Sequence, residues 1–162
     1  QAQLDVLKSS TSKLIANDAM DLSLLIIDNL NLDTSNIAME TFASAELLNY
    51  QQRHEDAILK YDSVIIAFPG HSLSDEIYMN KAEIYLKLNN IDLAIEMYQS
   101  VIKEWDYDIL ADDAKFAQAQ LQEYYFKNTT AALELYQDII TNHQDSFFLS
   151  ESRKHYRKLS KE

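Results

Sequence analysis

Apolar side chains recur in one phase over residues 56–143. Ala57, Ala94 and Ala132 stand 37 and 38 residues apart, and each is followed four positions later by Tyr61, Tyr98 or Tyr136. Val64, Val101 and Ile139 occupy +7, Ile65, Ile102 and Ile140 occupy +8, and a ring fills +11 as Phe68, Trp105 or His143. Offsets of 4, 7 and 8 fall on one face of an α-helix. Ala admits a neighbouring helix closely, and Tyr and the branched residues fill the space beside it. A second helical pattern precedes each copy, with small residues at Ala45, Ala82 and Ala119. Its starts, "SLSDEIYM" and "DILADDAKF", place Ser or Asp and further acids where orphan N–H groups need them.

The pattern predicts about nine helices, near 1–8, 13–29, 35–50, 54–67, 74–88, 91–104, 111–126, 130–142 and 147–159. Short polar turns, "NYQQRHE", "LNNID" and "KNTT", join the members of each pair. No pair buries its apolar faces alone, whereas stacked pairs do, which is the logic of an all-α solenoid. One domain is expected, with repeats at 35–70, 71–107 and 108–145 and a C-terminal capping helix in 146–162. Residues 1–34 read as the remnant of an upstream unit, and Gln1 and the helical spacing of Ala2, Leu4 and Leu7 suit a chain that continues a longer protein. The third copy carries one extra residue in its first helix or turn.

Composition agrees. One Gly and one Pro in 162 residues are too few for a sheet protein, which needs turn residues every 8–12 positions. The absence of Cys excludes disulfides and thiolate metal sites. The apolar runs, such as Leu24–Ile27, are too short to span a bilayer. Net charge is −12, and it is uneven. Five of the 14 Lys/Arg and two of the 26 Asp/Glu lie in residues 151–162, which leaves residues 1–150 at −15. Such a surface repels phosphate backbones, so no nucleic-acid partner is expected. The basic tail reads as a solvated terminal helix in preference to a nucleic-acid or acidic-lipid contact.

These residues resemble tetratricopeptide repeats, whose pattern pairs a small residue and an aromatic in the first helix with A-x3-Y/F in the second and a following Pro. Ala82, Tyr85, Ala94 and Tyr98 match, as do Ala45, Ala57, Tyr61 and Pro69, and Ala119, Ala132 and Tyr136. The motif's Gly is absent, Asp106 and Gln144 stand where Pro69 does, and the units are longer than usual. The run "DILADDAKFAQAQLQEYY" with "AALELYQDII" and "SESRKHYRKL" is similar to the C-terminal end of long bacterial tetratricopeptide proteins. The resemblance implies a right-handed α-solenoid of antiparallel helix pairs, a scaffold without catalytic residues, and a location in the bacterial cell envelope.

Repeats of this kind bind partners on the concave face lined by their first helices. Register places Met39, Phe42, Glu46 and Tyr50 there from the first unit. Glu76, Met79, Asn80, Glu83 and Lys87 come from the second, and Asp113, Phe116, Gln120 and Tyr124 from the third. Such a face suits a protein or peptide segment with apolar anchors and Lys/Arg. The competing reading makes the aromatics and Met core and leaves the acids solvated. A clamp for a terminal carboxylate is not expected, because Glu46 and Phe42 stand where Asn and Lys are needed and Glu46 repels a carboxylate.

No cofactor or metal is expected. The acids of "EWDYDILADDAK" lack the Gly and the alternation of a calcium loop and read as a helix-capping turn. His54, His71, His143 and His155 form no H-E-x-x-H pair and read as turn or surface residues. One Gly permits no phosphate loop, and no nucleophile motif is present. The reading is a non-enzymatic interaction module, with a self-packing or dimerising arm of a larger protein as the alternative.

Overall fold

A computed structural model of the chain describes residues 36–161. Within them lie seven helices and no strand: α1 (Ile37–Tyr50), α2 (His54–Ala67), α3 (Ser74–Lys87), α4 (Ile91–Glu104), α5 (Ala111–Tyr124), α6 (Thr129–Asn142) and α7 (Leu149–Leu159). The expected helices at 1–8 and 13–29 lie outside the described residues. The chain divides into two compact units, one ending at Ser74 and the other beginning at Asp75.

In the first unit α1 packs on α2. Ala38, Phe42 and Ala45 of α1 and Ala57, Tyr61 and Val64 of α2 are buried. The Phe42 and Tyr61 rings meet at 5.7 Å, within the range where tilted aromatic pairs attract.

The second unit builds two linked apolar clusters. Ala82 of α3, Ala94, Tyr98 and Val101 of α4, and Ala114 of α5 form one, with Tyr78, Met79 and Leu121 packed against it. Phe116 and Ala119 of α5, Ala132, Tyr136 and Ile139 of α6, and Leu159 of α7 form the other. All three repeated alanines are fully buried, and the repeated Tyr and +7 positions are buried too. A larger side chain at any of these alanines would overpack a closed contact, a change that typically costs about 1–3 kcal/mol.

The turns inside pairs share one device. Gln52, Asn89 and Lys127 each adopt a left-handed backbone, with φ of 62°, 58° and 55°. After Gln52 and Asn89, the N–H of the next residue reaches back five positions, Arg53 to the Leu48 carbonyl and Asn90 to the Tyr85 carbonyl, which closes a Schellman-type helix end. After Lys127 the span is one residue longer, Asn128 N–H to the Gln122 carbonyl. The extra residue expected in this unit therefore sits at the end of α5, and Tyr125 and Phe126 fall out of the helix there. Gly70, also left-handed at φ 76°, turns the chain between α2 and α3.

Candidate interaction surface

The predicted rows on α1, α3 and α5 share the spacing i, i+3, i+7, i+11, which keeps each on one side of its helix. Burial divides each row. Met39, Phe42 and Phe116 are buried, Phe42 against Tyr61 and Phe116 stacked at 4.4 Å on Phe148. Glu46, Glu76, Met79, Asn80, Asp113 and Gln120 are half-buried, and Tyr50, Glu83, Lys87 and Tyr124 are exposed. The rings and Met39 thus anchor the helices, and the polar residues with Tyr50 and Tyr124 form the accessible part of each row. Met79 bridges both roles, since it also packs on the α3–α4 cluster.

Glu46 already has a partner, because Tyr61 donates its hydroxyl hydrogen to Glu46 Oε1. A first-helix carboxylate also acts on the other two repeated Tyr, by charge on Tyr98 and by a hydrogen bond on Tyr136. Burial, then the charge of Glu83, pushes the Tyr98 phenol up to about 12. Tyr136 donates to Glu123 at 3.0 Å. Tyr61 and Tyr136 are therefore polar ties as well as fillers of the core.

Acids at the helix starts are perturbed. Burial, then the hydrogen bond and charge of Asp75, pushes the Glu76 carboxyl up to about 9, so it keeps its proton at neutral pH. Burial and the neighbouring Asp112 charge push Asp113 up to about 6.

Two polar clusters, each built on one buried charged residue, escaped the sequence pattern. Lys115 is buried on α5 and forms ion pairs with Asp106, in the turn after α4, and Asp138 on α6. Its ammonium also donates to His143 Nε2 at 2.8 Å. Burial works against the charged lysine, but the two carboxylates outweigh it, and its pKa lies above the usual value. Asp106, Asp138 and His143 bring ligand atoms within 4.8 Å of one another. The Lys115 ammonium supplies the cation in that triangle, so no metal is needed to neutralise it.

In the second cluster the buried Glu123 accepts from Tyr136, from His155 Nδ1 at 2.8 Å and from Lys158 Nζ at 3.0 Å. Burial alone would raise its pKa, yet these donors hold it below the ordinary carboxylate value. The cluster ties α7 to α5. His143 sits in the turn after α6, as expected, and His155 lies on α7; both are hydrogen-bonded into polar clusters. The signal available in sequence was weak: an apolar helix face interrupted by one Lys or Glu.

A family model for the tetratricopeptide repeat matches residues 76–106 and 113–146, which are the α3–α4 and α5–α6 pairs. These two helix pairs carry tetratricopeptide repeats. No match was found among curated proteins. Tetratricopeptide repeats generally mediate contacts between proteins and are generally non-catalytic. Among the described residues, no helix is long and apolar enough to cross a membrane.

Proposed function

We propose that this chain is a non-catalytic module that holds a protein or peptide segment along the first helices of its repeats. The observation that carries the reading is the accessible row on each first helix. Met79, Asn80, Glu83 and Lys87 on α3, and Asp113, Gln120 and Tyr124 on α5, are left partly or fully open by packing that fixes both helices. Met79 and Tyr124 offer apolar anchorage. Glu83, Asp113 and the net charge of −12 favour a basic segment and speed its encounter. Residues 35–70 are read as a further repeat, since Ala45, Ala57, Tyr61 and Val64 take the buried slots seen in the matched pairs.

Affinity capture from a lysate of the source organism tests this reading. The bait is the chain, run beside a Glu83→Lys/Tyr124→Ala variant whose helicity is checked by circular dichroism. A protein captured by the parent chain and lost with the variant is expected. The same proteins captured equally by both would overturn the placement on these helices. Phe116 is unsuitable as a probe, because it is core and its replacement would report on folding.

A further inference from the structure

We propose that the turn between α6 and α7 is a self-complementary surface that binds a second copy of this chain about a two-fold axis near Phe147. Phe147 is 92% exposed, yet it is not loosely held. Its ring sits edge-on to Phe148 at 5.6 Å, and Phe148 is in turn stacked on the core ring of Phe116.

Two hollows meet at this ring. On one side lies an open cleft of about 620 Å³ lined by Asp106, Asp108, Asp112, Asp113 and Asp145. Tyr107 and Ile109, 88% and 81% exposed, line the same cleft. On the other side a hollow of about 690 Å³ runs along α7 and is lined by Arg153, Lys154 and Arg157 with Leu149 and Ser150. Ser146 and Phe147 belong to both hollows. Asp112, Asp145, Arg153 and Arg157 have no ion pair among the described residues.

Three large apolar side chains exposed around one cleft mark a surface that associates. The charge pattern selects the occupant. Across a two-fold axis, residue i of one copy meets residue j of the other, and j meets i. A patch with an apolar centre, an acidic lobe and a basic lobe is then its own complement. Each acidic cleft faces the partner's basic hollow, both lobes are neutralised in one contact, and the two Phe147 rings lie close to the axis. A uniformly basic or acidic partner would satisfy one lobe and be repelled by the other. The surface lies at the turns, and of the row residues only Asp113 borders it, so it is separable from the proposed groove.

Sedimentation equilibrium of the 162-residue chain tests the proposal. At low salt the mass should rise with concentration from the 18.7 kDa of one chain towards twice that value. Salt near 0.5 M should return it towards the single-chain mass, with the dissociation constant weakened by about tenfold or more. Phe147→Ser should abolish the rise. Asp112→Lys/Asp145→Lys and Arg153→Glu/Arg157→Glu should each stay monomeric, because each places like charges opposite one another on both sides of the axis. An equimolar mixture of the two should dimerise, as should a chain that carries all four changes. Misfolded variants could not complement in this way. A parent chain that keeps its single mass at every concentration overturns the proposal, as do reversals that dimerise unchanged or a mixture that stays monomeric.

Discussion

Tyr136, in the middle of α6, donates its hydroxyl hydrogen to Glu123 near the end of α5 at 3.0 Å, with both residues buried. His155 and Lys158 reach the same carboxylate from α7, so three helices converge on one side chain. Glu123 is thus the point at which the last helix is held to the repeat before it.

Truncation of Glu123 should therefore cost more than truncation of its partners. Glu123→Ala leaves a buried phenol and imidazole without an acceptor and should destabilise by about 3 kcal/mol, whereas Tyr136→Phe removes one charged hydrogen bond and should cost about 1.5–3 kcal/mol. Urea unfolding of both single variants and the double variant gives their coupling. Additive losses would show that the bond contributes nothing of its own.

Lys115 makes a second expectation. Lys115→Ala leaves Asp106 and Asp138 facing each other without the cation, but both carboxylates still reach water, so a loss of about 1.5–3 kcal/mol is expected. The same change empties the centre of a triangle whose ligand atoms lie within 4.8 Å of one another. Two carboxylates and an imidazole are a ligand set that zinc accepts. Added Zn²⁺ should raise the melting temperature of Lys115→Ala and leave the parent chain unchanged. A variant insensitive to zinc by calorimetry would show that the triangle collapses when the lysine is removed.

The perturbed carboxyls set the pH profile. Glu76 loses its proton near 4.5 in the unfolded chain and near 9 in the folded one. Between those values the native state holds the extra proton, so this contribution to stability is full below 4.5 and is lost as pH rises through 9. Asp113 acts in the same direction between 3.8 and about 6. Glu123 and Asp138 act oppositely, since their folded pKa values are depressed. Their contribution is present above the ordinary carboxylate range and is lost as pH falls through the depressed values. Stability should therefore be greatest in mild acid, near about pH 5, and decline towards alkali. Glu76→Gln, which mimics the protonated acid, should raise the melting temperature at pH 8 and flatten the alkaline decline. An unchanged melting curve at pH 8 would show that Glu76 is solvated in the folded chain.

Much of the fold was legible from short-range spacing. Helices α2 and α4 begin and end where the periodicity placed them, and the repeated Ala, Tyr and +7 positions are buried in all three copies. The less accurate ends have local causes. Helix α5 stops at Tyr124 because the chain turns left-handed at Lys127, one residue later in the unit than at Asn89. Helix α7 begins at Leu149, after a turn in which the Phe148 N–H donates to Ser146 Oγ at 3.0 Å. In the candidate rows, spacing chose the side of each helix but did not separate Phe116, covered by Phe148, from Tyr124, left open on the same row.

The sequence by itself determined the helical class, the pairing of helices and the residues that fill the repeated core, because these follow from periodicity within about a dozen positions. The tertiary structure alone decided where the isolated polar residues went. Lys115 meets His143 across 28 residues, and Glu123 meets His155 across 32. Helical phase fixes the direction in which a side chain points, but its partner is whichever group the next helix brings opposite. Inside a core such a group must be matched, since a buried charge left unpaired costs several kcal/mol.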